Sequence, residues 1–320
     1  MSRCLFCYRE LNENERDFHA SCAKKFFGTS EAPIMEYTRA DMDRLAENII
    51  RSQTTLTGVQ PKLSLNLQNH AGSRKLTIVG LWGAYIFKPQ TDDYPQLPEI
   101  EDLTMHLAEL AGIKTAQHCL IHLADNSLGY LTKRMDRDTQ GHKLAMEDLC
   151  QLTERQTEYK YRSSYEQIAK AITKYSSTPQ LDLVNFYETV IFSWLTGNND
   201  MHLKNFSLLS TEAGRYELSP AYDLVNAAIV NPKDKEELAL TLNGKRSRIG
   251  IEDFQQAAAK SGITEKVIER LFAHFQKCLP KWETMIGQSF LSDDLKQQYL
   301  ELLQNRMKII KDNADSDGKE

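Results

Sequence analysis

No stretch of this 320-residue chain approaches the ~18 consecutive apolar residues of a membrane helix. Its opening, Met1-Ser-Arg-Cys-Leu-Phe-Cys7, lacks the apolar core of a signal peptide. These absences predict a cytoplasmic location, reduced thiols and no membrane partner. An excess of positive charge is also missing: 39 lysines and arginines against 44 acidic residues leave a net −5. A domain that holds nucleic acid by charge is usually basic, so no direct nucleic-acid binding is expected. There is no internal repeat, and no Gly-Lys-Ser/Thr opening a helix, which excludes a Walker-type phosphate loop.

What is present is ordinary for a globular protein: 41% apolar and 26% charged residues. The length suffices for a two-lobed enzyme or two modest domains. Residues 1–30 are a small unit rich in cysteine and charge, and 31–38 read as a linker before a short helix over 39–51. Apolar residues then alternate over 62–67, 76–79 and 84–88, which predicts a three-stranded antiparallel sheet. Pro98 opens a helix that carries Ile100, Leu103, Leu107, Leu110 and Ala111 at helical spacing, with Gly112 as its C-terminal cap. Strands return at 119–123 and 129–135. Helices are expected at 163–175, 181–196, 251–260, 265–287 and 291–312. The predicted class is α+β in two lobes: a β-rich lobe over 31–145, a helical lobe over 146–312 and a flexible tail at 313–320.

Phosphoryl transfer asks a protein for metal ligands, a cation on the phosphates and a carboxylate that orients the attacking hydroxyl. In protein kinases that carboxylate and a metal-binding asparagine share one loop, with four residues between them. Asp200 and Asn205 have this spacing in Asn198-Asn-Asp-Met-His-Leu-Lys-Asn205, which follows an apolar helix and Gly197. The run Gly-Asn-Asn-Asp is equally a good plain turn, so the segment alone leaves both readings open. Asp223, in Leu218-Ser-Pro-Ala-Tyr-Asp-Leu224, is a second hard oxygen ligand suited to Mg²⁺, or else a turn or helix-capping residue. Lys88 closes the strand Ala84-Tyr-Ile-Phe-Lys88 and can hold phosphates, or simply snorkel at a sheet edge. Glu101 on the next helix is its expected partner, with Glu99 the competitor. Thr57-Gly-Val-Gln-Pro-Lys62 can cover the phosphates, although one glycine makes a weak phosphate loop. The order of these parts, rather than any one of them, points to an ATP-dependent kinase.

The segments Thr57-Gly-Val-Gln-Pro-Lys62, Phe87-Lys-Pro89, Glu147-Asp-Leu-Cys-Gln151, Gly197-Asn-Asn-Asp-Met-His-Leu-Lys-Asn-Phe-Ser207 and Pro220-Ala-Tyr-Asp223 resemble the HipA/HipT-type toxin kinases over about residues 40 to 300. The resemblance implies a kinase-like fold, ATP, Mg²⁺ and phosphorylation of serine or threonine. It makes Asp200 the catalytic acid/base residue and Asn205 and Asp223 the magnesium ligands. Thr57, Gly58, Val59, Gln60, Lys62 and Lys88 would then face the phosphates, with Glu101 beside Lys88. Glu147, Asp148 and Leu149 would hydrogen-bond adenine, and His202, Lys204 and Tyr222 would lie close to the nucleotide. It also implies an aminoacyl-tRNA synthetase as substrate and a small DNA-binding antitoxin as partner. Thr55 and Thr57 stand where many relatives carry serines, and are the candidates for autophosphorylation. The short N-terminal region is similar to the HipT form, in which a separate small protein supplies a missing subdomain.

Cys4-x2-Cys7 and His19-x2-Cys22 have spacing suited to tetrahedral Zn²⁺; reduced thiols around a packed histidine are the other reading. Three further functions compete with a protein kinase: a nucleotide-binding pseudokinase scaffold, a small-molecule kinase of aminoglycoside type, and a zinc-dependent nucleic-acid adaptor.

Overall fold

The computed structural model describes residues 2–52, 61–70, 73–79, 83–138, 140–212 and 214–316. Thr55, Thr57, Gly58, Val59 and Gln60 lie outside the described residues. The chain forms two compact units: Met1–Leu103 with Ala116–Arg137 and Gln288–Phe290, and Thr104–Thr115 with Asp138–Gly287 and Leu291–Glu320. Among the described residues no helix is long and apolar enough to cross a membrane.

The first unit is built on one antiparallel sheet. Its elements are α1 (Ala20–Phe27), α2 (Arg39–Ser52), β1 (Leu63–His70), β2 (Ser73–Val79), β3 (Tyr85–Pro89), the first half of α3 (Leu97–Leu110), β4 (His118–His122) and β5 (Leu128–Lys133). The strand order is β2-β1-β3-β5-β4. The expected three-stranded sheet is thus part of a larger one, because the strands expected separately near 119 and 129 extend it beyond β3. Alternation sets which face is covered: Leu63 and Leu65 are buried, whereas the alternate residues Ser64 and Asn66 are not. Gly129 opposes Pro89 in the β3–β5 ladder, and a Cβ there would meet the Phe87 ring at 2.2 Å, so only glycine fits.

Residues 4–27 share their core with this sheet. Leu5, Phe18, Phe26 and Phe27 are buried together with Leu63, Leu65, Tyr85, Phe87, Cys119 and Leu131. The Leu5 carbonyl accepts from Leu120 N–H on β4 (3.0 Å). Tyr8, which is fully buried, donates its hydroxyl to Asp102 Oδ2 (2.8 Å), and its ring meets that of Phe290 edge-on at 5.0 Å. Asp102 also bonds His118 Nδ1 (2.6 Å). Fully burying a phenylalanine contributes about 1.5–3 kcal/mol, so Phe26 and Phe27 bind α1 firmly to the sheet.

The second unit contains β6 (Met146–Asp148), α4 (Leu149–Leu152), α5 (Tyr165–Tyr175), α6 (Pro179–Leu195), β7 (Ser207–Glu212), β8 (Arg215–Leu218), α7 (Ala227–Val230), α8 (Ile251–Ala259), α9 (Glu265–Gln288) and α10 (Asp293–Ser316). At its centre lies α6, whose last seven residues are all buried. A helix apolar on all sides belongs inside a core. Its buried Thr189 and Ser193 are satisfied within the helix, donating to the carbonyls four residues earlier (2.9 and 2.8 Å). Phe192 and Trp194 pack on Phe275, Trp282, Phe254 and Phe272 from α8 and α9. A small antiparallel sheet, β6-β7-β8, flanks the segment that follows α6.

Candidate phosphoryl-transfer site

In the first unit, Lys88 is the fourth residue of β3 and points to the face opposite Phe87. Its Nζ bonds Glu101 Oε1 at 2.5 Å, with only 5% and 3% of the two side chains exposed. The ammonium also lies 5.4 Å from the centre of the Tyr130 ring, which is paired across from it on β5. Glu101, not Glu99, takes the lysine. Two residues apart on α3 are about 200° apart around the helix, so the two carboxylates cannot share a direction. Glu99 is buried with its Oε2 lacking a hydrogen-bond partner, and desolvation pushes its carboxyl up to about 7, with the Asp102 charge adding to the effect. Lys62 stands exposed immediately before β1.

In the second unit the chain leaves α6 through Gly197 (φ 71°), where a Cβ would lie 2.7 Å from Asn226 Oδ1. The loop is then closed by its own polar groups. Asn198 N–H donates to the Ser193 carbonyl (2.8 Å), Asn199 Nδ2 to the Glu236 carbonyl (3.0 Å) and His202 N–H to the Asp200 carbonyl (2.8 Å). Asn205 Nδ2 donates to the same Asp200 carbonyl at 3.0 Å, so the four-residue spacing closes a ring across the loop. Met201, His202, Leu203 and Asn205 are buried beneath it, while Asp200 stays half-exposed.

Tyr161 was not singled out in the sequence. Its hydroxyl donates to Asp200 Oδ1 at 2.6 Å, and its ring stands edge-on to His202 at 4.9 Å. Desolvation first, then the Asp200 charge, keeps its phenol well above the ordinary range and therefore protonated. The only sequence signal is the aromatic and basic run Tyr159-Lys-Tyr161-Arg162, 39 residues from Asp200.

The remaining predicted residues also converge within the second unit. Lys204 Nζ pairs with Asp148 Oδ2 at 2.7 Å. Tyr222 donates its hydroxyl to the Lys204 carbonyl (2.8 Å) and accepts from Ser207 Oγ (2.6 Å). Ala221 N–H donates to the Lys114 carbonyl (2.7 Å), so 219–222 is tied on two sides. The next residue, Asp223, has φ 57°, a left-handed conformation that few non-glycine residues adopt. Such strain persists where the surroundings over-determine it, as the ties at Ala221 and Tyr222 do here. Glu147 pairs with Leu208 in the β6–β7 ladder. The Asp148 amide donates to Gln151 Oε1 (2.9 Å) and the Leu149 amide to the Phe206 carbonyl (3.0 Å).

Asn205 and Asp223, the two expected magnesium ligands, would offer one amide oxygen and one carboxylate. With Nδ2 of Asn205 committed to the Asp200 carbonyl, its Oδ1 is the end left to coordinate. Hard oxygen donors of this kind fit Mg²⁺. Cys4, Cys7, His19 and Cys22 are brought together in the first unit, their ligand atoms all within 4.8 Å of one another.

A strand lysine paired to a helix glutamate, with an Asp-x4-Asn loop in a helical unit, defines the class: an α+β protein of kinase-like fold. The model for the HipA-like C-terminal domain matches residues 54–282, and the chain belongs to that family. A putative kinase of Haemophilus influenzae is 25% identical over 284 residues, covering 80% of this chain and 81% of that protein. The putative kinase Y4dM of Sinorhizobium fredii is 29% identical and covers 67% of this chain; the chain spans about half (55%) of that longer relative. Among solved structures, the Shewanella oneidensis HipA in complex with HipB and operator DNA is similar with a TM-score of 0.69, at 20% identity, over 89% of this chain and 74% of that one. The Helicobacter pylori proinflammatory kinase CtkA is similar with a TM-score of 0.55, at 17% identity, over 78% of this chain and 93% of that one.

Proposed function

We propose that this protein is an ATP-dependent kinase that transfers the γ-phosphoryl group to a serine or threonine hydroxyl of another protein. The observation that carries the reading is the Lys88–Glu101 pair. Burying two charges costs several kcal/mol even when they are paired. A cation kept in such a place is best explained by a task, here to hold the α- and β-phosphates of ATP. Asp200 accepts the proton of the attacking hydroxyl, and the bond from Tyr161 fixes which carboxylate oxygen faces it. Asn205 and Asp223 would hold magnesium, which when bound neutralises charge on the phosphate oxygens. Lys62, His202 and Lys204 complete the phosphate side. Glu147, Asp148 and Leu149 form the adenine edge. A base seated there takes the Asp148 amide from Gln151 or the Leu149 amide from Phe206.

By analogy with relatives named as kinase toxins, the activity arrests growth and a HipB-like antitoxin restrains it. An aminoacyl-tRNA synthetase is the leading substrate, and Thr55 and Thr57 the sites of self-modification. The test is incubation of the purified chain with labelled ATP, Mg²⁺ and a cell lysate, beside Asp200→Asn, followed by phosphopeptide mass spectrometry. New phosphoserine or phosphothreonine that depends on Asp200 is the expected result. Equal labelling by both proteins removes Asp200 from the mechanism. Tight ATP binding without transfer indicates a scaffold, and labelled small molecules alone indicate a metabolite kinase.

A further inference from the structure

The cluster at Cys4, Cys7, His19 and Cys22 has no part in phosphoryl transfer, yet its geometry is specific. Cys4 and Cys7 lie on a tight turn: Tyr8 N–H returns to the Cys4 carbonyl (2.9 Å), Cys4 N–H bonds the Arg9 carbonyl (2.9 Å), and Tyr8 takes φ 61°. His19 and Cys22 come from the start of α1. His19 occupies the capping position of that helix but makes no capping bond with its side chain. Its ring is engaged elsewhere. Nε2 donates to the Glu10 carbonyl at 2.9 Å, which fixes the tautomer and leaves the Nδ1 lone pair directed at the cysteines. Nδ1 stands 3.4 Å from Cys7 Sγ and 3.7 Å from Cys22 Sγ.

These separations have a simple origin. With Zn–S near 2.3 Å and Zn–N near 2.0 Å, the N···S edge of a regular tetrahedron is about 3.5 Å and the S···S edge about 3.8 Å. The observed N···S distances bracket the first value, and all four ligand atoms lie within 4.8 Å of one another. A disulfide would instead bring two sulfurs to about 2.05 Å, leaving the third cysteine and the oriented histidine unexplained; all three cysteines are free thiols.

We propose that Cys4, Cys7, His19 and Cys22 hold one zinc ion, and that this ion pins residues 4–27 against the sheet of the first unit. Its role is structural. The four ligands close the coordination sphere and leave no open position for water or substrate. The ion joins the Cys4–Cys7 turn to α1, and α1 buries Phe26 and Phe27 beside Tyr85. A short segment, with one eight-residue helix and a turn, gains in stability from such a staple.

The experiment uses the full chain, purified under reducing conditions without chelator, and reads metal rather than kinase activity. Plasma mass spectrometry is expected to find about one zinc per chain. His19→Ala is expected to lose it and His19→Cys, which restores a fourth ligand, to keep it. Replacement of the metal in the unmodified protein by cobalt is expected to give thiolate charge-transfer and tetrahedral d–d bands. Chelation is expected to lower the unmodified protein's melting temperature, reversibly on adding zinc. A metal-free protein whose cobalt titration shows no thiolate bands overturns the proposal, as does a disulfide within the cluster. The cobalt titration needs no substitution, so a variant that fails to fold leaves it decisive.

Discussion

Glu99→Gln should change how stability depends on pH. Glu99 sits in the first turn of α3, 8% exposed, with its Oε2 buried and lacking a hydrogen-bond partner. Desolvation, aided by the charge of Asp102, pushes its carboxyl from the usual 4.5 up to about 7. The folded state therefore binds the proton more tightly than the unfolded state does. Between these two values the native protein holds a proton that the unfolded chain has released, so stability falls as pH rises. Below 4.5 both states are protonated and the penalty is absent; above about 7 both are ionised and it is complete. At about 1.4 kcal/mol per tenfold change in proton affinity, the full penalty is about 3 kcal/mol. Urea unfolding of the two proteins, followed by circular dichroism from pH 4.5 to 8, isolates this group as the difference between their curves. The glutamine variant should gain on the parent through this window and hold a constant lead above it. A difference that stays flat from pH 4.5 to 8 would refute the reasoning and imply that Glu99 is well solvated.

Glu101→Ala should destabilise by about 3–5 kcal/mol, the cost of removing one partner from a buried pair, and should abolish phosphoryl transfer. In urea unfolding, Lys88→Met combined with it should cost clearly less than the two single changes together; additive costs would mean that the pair is not coupled. Tyr161→Phe removes one hydrogen bond to a carboxylate, worth about 1.5–3 kcal/mol. Steady-state kinetics should show kcat down roughly tenfold or more with the KM for ATP unchanged; an unchanged or raised kcat would exclude an orienting role for this tyrosine.

Much of the framework could be read from residue patterns because it rests on periodicity. Leu63 and Leu65 alternate with polar neighbours, and α6, α8, α9 and α10 begin and end within a few residues of the apolar repeats that predict them. The Asp200–Asn205 spacing was equally legible, since the Asn205 side chain closes the loop on the Asp200 carbonyl. What periodicity leaves open is direction. It allowed either Glu99 or Glu101 to meet Lys88, and the rotation of α3 decides for Glu101. It is silent on contacts between loops: Tyr161 reaches Asp200 from an irregular segment, and β6 is too short, at three residues, to show alternation. The left-handed backbone of Asp223 has no signature in composition, because neighbouring ties impose it.

The position of Tyr8 also bears on the order of events during synthesis. The Cys4–Cys22 segment leaves the ribosome before the residues that cover it and can close its turn locally. Asp102, which receives the Tyr8 hydroxyl, follows 94 residues later, and Phe290, which covers the Tyr8 ring, only near the end of the chain. At typical rates of about 5–20 residues per second, the wait for Phe290 lasts roughly 15–60 s. A segment that can close its own turn early is thus among the last to complete its seat on the sheet.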